Sequence, residues 1–248
     1  MLLIDPDNPK ASQIHQQLSS LVDLSNLPFH VVFGGDGWML QCIRTHGFDT
    51  PYFGINAGTL GFLLNSIDDL KRIAFCLENQ HVVFHDFPLL EANGTSIHGN
   101  SIHAFALNDI YVARTSGIAA NLRMSIDGHL IVEKLICDGL ITATSLGSTA
   151  YSSSAGGSPS HPLLSSIHIT PICAHTPSLR PFIIPSDAAI EIEVLNPDRR
   201  RCQIVGDGFS YGEVHSMTVT TSTHTVSVGF ASDNNFTERM VRKILRAH

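Results

Sequence analysis

The chain has no run of Lys or Arg longer than the three arginines at 199–201, no CxxC pair and no apolar stretch long enough to span a membrane. With 15 Lys and Arg against 22 Asp and Glu, its formal charge is −7. That balance argues against wholesale binding of nucleic acid or an anionic membrane, where affinity comes mostly from neutralised phosphates. A small phosphate ligand is still compatible, because backbone amides hold one without net positive charge. The five cysteines, Cys42, Cys76, Cys137, Cys173 and Cys202, are an odd set without close pairs. They read as free thiols in a reducing compartment, and the protein is expected to be cytoplasmic. The opening "MLLIDPDNPK" has no basic segment and meets Asp5 too early for a secretion signal.

Several motifs are missing too. HExxH is absent, and the 14 histidines show no ligand spacing. His81 and His85 share a face of an expected strand but stand roughly 13 Å apart at strand rise. His161, His168 and His175 repeat every seven residues, but Pro162, Pro171 and Pro177 exclude the helix that would align them. No metal site is therefore expected. Neither nucleotide fingerprint, GxxxxGK[ST] or GxGxxG, occurs, and the absence of GxSxG removes a serine-nucleophile reading.

What is present falls into two halves. In the first, "HVVF" runs into "GGDG", followed by "WMLQCIRTHG" with Met39, Leu40 and Ile43 at helical spacing and a stop at Gly47. The strand "PYFGI" leads into a second glycine loop, "NAGTLGFLL", and then "SIDDLKRIAFCLENQ", where Ser66 and Asp69 are the expected capping box. Strand, glycine loop and helix, twice over, imply a parallel α/β sheet. Past residue 84 the pattern becomes β-rich, with hairpins expected at Asn93-Gly94, Asp127-Gly128 and Asp207-Gly208. "AIEIEVL" and "VHSMTVTTSTHTVSVGF" alternate with period two, and "NNFTERMVRKILRAH" returns to an amphipathic helix carrying Phe236, Met240 and Ile244. The expected architecture is an α/β domain over residues 1–84, a mostly β domain over 85–230, and a terminal helix over 231–248 packing back on the first.

Four stretches carry the chemistry. In "GGDG", a strand ending in glycines and opening a helix aims backbone N–H groups at one point, which is the physics of anion binding. Asp36 puts a negative charge there. Either it caps the helix, or it accepts a proton from a hydroxyl that attacks a phosphoryl group. The second loop contributes Asn56, Gly58 and Gly61, either as a ligand loop at the carboxyl end of a parallel strand or as a plain turn. Asn108 and Asp109 in "ALNDIYVAR" suit a ribose diol or an ordinary Asx turn. "CDGLITATSLGSTAYSSSAGG", residues 137–157, surrounds Tyr151 with small hydroxyl residues. It can wrap a polar heterocycle or be a Ser/Gly-rich loop.

In this order the four stretches resemble the NAD kinase family, and the resemblance runs from about residue 30 to residue 157, with "FTERMVRKIL" similar to the family's closing helix. "GGDG" alone is shared with diacylglycerol and sphingoid-lipid kinases. The resemblance implies that Asp36 is the general base for the adenosine ribose 2′-hydroxyl of NAD, with Gly34, Gly35 and Gly37 near the phosphates and Phe62 on the adenine side. It implies that Asn108 and Asp109 hold ribose hydroxyls, that Asp138 touches the nicotinamide carboxamide, and that Thr149, Ala150, Tyr151 and Ser154 complete the dinucleotide pocket. It also implies Mg²⁺ with ATP, or polyphosphate, as phosphoryl donor, and assembly as homo-dimers or homo-tetramers, with no nucleic-acid or membrane partner. Trp38 stands where many members have Thr, Asp109 replaces Glu, and Ser145-Leu146 replaces part of a Thr-Pro-Thr run. These departures keep open a catalytically weak NAD(P)-binding regulator, with a lipid kinase as a further alternative.

Overall fold

The computed structural model describes residues 1–58, 61–231, 237–238 and 241. The chain divides into two compact units, Met1–Phe87 joined by the chain from His224 onward, and Pro88–Thr223.

The first unit contains β1 (Leu2–Ile4), α1 (Pro9–Ser19), β2 (His30–Gly34), α2 (Asp36–His46), β3 (Tyr52–Asn56), β4 (Leu64–Asn65) and α3 (Leu70–Glu78). β1, β2 and β3 are adjacent and parallel, and β3 also pairs in parallel with β4. Val31, Val32, Phe33, Tyr52, Phe53 and Ile55 are all fully buried, the signature of parallel strands covered on both faces. One face is filled by Ala11, Ile14 and Leu18 of α1 with Ile73, Ala74 and Leu77 of α3, packed around Phe33, Phe53 and Ile55. The β1–α1 pair, which the sequence reading did not single out, has a plain start signal. Asn8 accepts from Lys10 N at 3.1 Å and Pro9 opens the helix. α2 stops as expected at Gly47, whose φ of +84° suits glycine. α3 starts later than the expected box. Asp69 is its cap, accepting from Arg72 N at 2.9 Å, while Ser66 Oγ bonds Asp68 at 2.7 Å ahead of a short 3-10 turn.

β5 (Val82–Ser96) enters the second unit, followed by β6 (Ser101–Ala106), β7 (Asp109–Arg114), β8 (Ala120–Ile126), β9 (His129–Cys137), β10 (Gly139–Thr144), α4 (Tyr151–Ser154), β11 (Ser166–Ile172), β12 (Phe182–Pro185), β13 (Ile190–Val194), β14 (Cys202–Gly206) and β15 (Phe209–Ala231). One antiparallel array runs β12, β11, β10, β7, β14 and the start of β15, and another runs β9, β8, β13 and the middle of β15. Their inward residues, among them Val112, Leu122, Leu140, Ile169, Ile192 and Ile204, form one core. The hairpins at Asp127-Gly128 and Asp207-Gly208 are present, with positive φ at all four residues. The one expected at Asn93-Gly94 is not: β5 runs straight through it, and the turn falls at Gly99, φ +79°. Gly94 is glycine for another reason, since a Cβ there would stand 2.8 Å from Ser216 O and 3.0 Å from Met217 Cβ.

The far end of β15 lies in the first unit, where Val228 and Gly229 pair in parallel with Tyr52 and Phe53. The amphipathic helix expected beyond it lies almost wholly outside the described residues, of which Thr237, Glu238 and Val241 are helical. No described helix is long and apolar enough to cross a membrane. All five cysteines are free, and four of them are buried.

Candidate active site

In the first unit the two glycine loops meet. Gly34 ends β2, Gly35 takes the capping position of α2 at φ −108° and ψ 177°, and Asp36 is the first helical residue. The capping role weighed for Asp36 therefore falls to Gly35. The Asp36 carboxylate reaches instead into the second loop, where Phe62 N donates to Oδ2 at 3.0 Å and Leu63 N donates to Oδ1 at 3.1 Å. Two N–H donors on separate oxygens fix its plane.

The glycines divide by task. A Cβ on Gly34 would stand 2.7 Å from Trp38 Cδ1, so this glycine makes room for the indole, whose Nε1 donates to Leu3 O at 3.4 Å. Around Gly35 and Gly37 a Cβ would meet no atom of the described residues within 4 Å. A Cβ on Gly61 would stand 2.7 Å from Asp36 Oδ1, so glycine there is what allows the carboxylate to close on the loop. A Cβ on Gly58 would stand 3.3 Å from Asn56 Oδ1 and 4.0 Å from Gly35 Cα, and the Gly58 N–H donates to Asn56 Oδ1 at 2.8 Å. Phe62, expected beside adenine, is buried with only 3 % of its surface exposed.

In the second unit Asn108 and Asp109 sit at the start of β7. Asp109 is buried, and among the described residues its carboxylate accepts no hydrogen bond. Burial first, and the negative charge of Asp207 second, push its pKa up to about 7. The backbone around it is fixed from two sides. Asp207 accepts from Leu107 N at 2.7 Å, Asn108 N at 2.8 Å and Asp109 N at 3.3 Å, while its own N–H donates to Asp109 O at 3.0 Å. Thr144 donates through Oγ1 to Leu107 O at 2.8 Å and through N to Asn108 O at 2.9 Å. Gly147 packs so closely that a Cβ would fall 2.6 Å from Asn108 Cα.

The same packing brings in the hydroxyl-rich stretch. Tyr151, which opens α4, is 39 % exposed and meets Tyr111 edge-on, with centroids 5.1 Å apart at 72°. Both phenols are pushed up, by burial first and by the charge of Asp109 second. Thr149 is buried, Ala150 is partly buried and Ser154 is exposed. Ser152 faces inward to Thr170 Oγ1 at 2.8 Å. Asp138 is paired with Arg114, at 2.6 Å from Nε and 3.3 Å from the second nitrogen. Ser145 and Leu146 have packing tasks: Ser145 Oγ donates to Leu164 O at 2.6 Å, and Leu146 is buried. Among the described residues no three His, Cys, Asp or Glu side chains converge on a metal position.

Sequence reasoning missed Asp207 and Arg114. Asp207 was legible only as a hairpin residue, and Arg114 closes "NDIYVAR" without any motif of its own.

Residues 107–228 match the ATP-NAD kinase C-terminal domain. A curated NAD kinase from Zymomonas mobilis is 32% identical over 228 residues, covering 89% of this chain and 87% of that protein. The chain belongs to the NAD kinase family. Among solved structures, yeast NADH kinase complexed with NADH superposes with a TM-score of 0.77 at 28% identity, over 88% of this chain and 64% of that one. An NAD kinase from Archaeoglobus fulgidus in complex with ATP superposes with a TM-score of 0.79 over 98% of each chain, and at 24% identity it speaks for the shared fold. In this NAD kinase family member the domain match falls mostly within the β-rich unit, and "GGDG" lies in the α/β unit.

Proposed function

We propose that this protein phosphorylates the adenosine ribose 2′-hydroxyl of NAD, giving NADP, with ATP as phosphoryl donor. The observation that carries the reading is the Asp36 carboxylate, clamped by two backbone amides at the meeting of two glycine loops, beside Gly35 and Gly37, where a Cβ would meet no atom of the described residues. A carboxylate in an anion-binding loop has a purpose when a hydroxyl must lose its proton beside a phosphate. The ribose oxygen forms a bond to the γ-phosphorus, the bond from that phosphorus to the ADP oxygen breaks, and Asp36 takes the hydroxyl proton.

Asp109 supports the same reading. A buried carboxylate without a protein donor is costly, and two ribose hydroxyls are the donors it lacks. Asn108 beside it can donate and accept. Tyr151, Thr149, Ala150 and Ser154 would line the rest of the dinucleotide, while Asp138, held by Arg114, would receive the carboxamide. Mg²⁺ arriving with ATP would supply charge neutralisation on the phosphates.

The test is to incubate the purified protein with NAD, Mg²⁺ and either ATP or polyphosphate and to assay NADP. NADP accumulating with ATP is expected. No NADP with either donor, from folded protein that still binds NAD, would make this an NAD(P)-binding regulator.

A further inference from the structure

We propose that Asp207 is a positioning residue for NAD: its carboxylate gathers three consecutive backbone N–H groups, those of Leu107, Asn108 and Asp109, and so presets the turn that offers Asn108 and Asp109 to the ribose. This rests on the reading of Asn108 and Asp109 as ribose-holding groups.

Three successive N–H groups rarely point at one place, because a strand alternates them. Here they converge because the chain turns from β6 into β7, and the resulting nest needs an anion. Asp207 supplies it from a hairpin nearly a hundred residues away in the chain, with Oδ2 on Leu107 N and Oδ1 shared by Asn108 N and Asp109 N. The hairpin in turn is built to present it. Asp207 and Gly208 occupy left-handed backbone at φ +47° and +80°, and Asp207 N returns a bond to Asp109 O at 3.0 Å. A hairpin of this type is satisfied by Asn-Gly as well as by Asp-Gly. The turn alone does not require a carboxylate, whereas the three donors do. Preordering matters because, among the described residues, no hydrogen bond to its carboxylate orients Asp109, so its aim depends on the backbone that carries it. The titratable groups around Asp109 are Asp207 from the hairpin, Tyr111 on β7 and Tyr151 on α4.

The experiment compares Asp207→Asn with wild type in NADP formation, across pH 5.5 to 8.5. The amide keeps one acceptor and turns an NH₂ against at least one of the three N–H groups, a loss worth about a factor of ten to a hundred for a charge-assisted bond. KM for NAD is expected to rise by that factor, with kcat changing less than threefold. Removing the negative charge beside Asp109 also favours its ionisation, so the rise in KM on the acid side is expected to move to lower pH. A purely structural part for Asp207 would lower the amount of active enzyme and leave KM and the position of that limb alone, and that result overturns the proposal. Asp109→Ala is run alongside. If it raises KM while Asp207→Asn does not, positioning fails and the ribose reading stands; if neither changes KM, the ribose reading itself has failed. Should Asp207→Asn not fold, amide hydrogen exchange on the wild type decides. Protection of Leu107, Asn108 and Asp109 amides before NAD is added supports a preset turn, and protection acquired only with NAD overturns it.

Discussion

Replacing Asp109 with Asn exchanges stability for function in a pH-dependent way. In the folded chain the Asp109 pKa is raised from 3.8 to about 7, by burial first and Asp207 second. Between those two values the folded protein binds a proton that the unfolded chain has released. The contribution of this group to stability is therefore full in acid and is lost as pH rises to about 7. Above that, the buried charge costs the folded state up to about 4 kcal/mol, part of it shared with Asp207. The amide cannot ionise. It must still bury an NH₂ group, at about 1–3 kcal/mol, so at pH 8 a net gain of up to about 1–3 kcal/mol is expected, vanishing or reversing at pH 5. Urea unfolding of both proteins at pH 5, 6, 7 and 8, followed by circular dichroism, measures this. In the same variant KM for NAD should rise, because the ionised acceptor for the ribose is gone. A stability difference that is the same at every pH would show that Asp109 is not a buried ionisable group, and the argument from its missing donors would fall with it.

Gly35→Ala should leave thermal stability within about 0.5 kcal/mol, since the added carbon meets no atom of the described residues and φ −108° suits alanine. It should nevertheless raise KM for ATP, and an unchanged KM would remove phosphate from that space. Gly147→Ala drives a carbon into the backbone of Asn108 and should destabilise by about 1–3 kcal/mol. Thermal unfolding checks it, and an unchanged midpoint would contradict the close packing of the two segments.

The alternation of strand, glycine loop and helix is local, and so the parallel sheet of the first unit could be read from "HVVFGGDG" and "PYFGINAG" alone. Period-two runs revealed the β character of the rest. Asn93-Gly94 misled because a glycine needed for close approach to Met217 looks, in sequence, like one needed for a turn. The late start of α3 has a similar cause. Ser66 satisfies its hydroxyl on Asp68, leaving the cap to Asp69, and both arrangements fit the same letters. At the candidate site the residue types were legible and their partners were not. The donors on Asp36 come from 26 and 27 residues away, and those on Asp207 from 98 to 100. Such bonds depend on the finished topology, so no spacing rule reveals them. The Arg114–Asp138 pair is legible only once β7 and β10 are known to lie side by side.

The most direct measurement of the central claim is the turnover of Asp36→Asn with NAD, ATP and Mg²⁺. The substitution keeps the size of the side chain and removes the base, so kcat should fall by about 10²–10⁴, with NAD affinity unchanged or better once the charge facing the phosphates is gone. The amide gives up one of the two loop bonds, and an unfolding curve taken in parallel accounts for that loss separately. A folded variant that retains near wild-type kcat would contradict the assignment and leave Asp36 as a tie between two glycine loops.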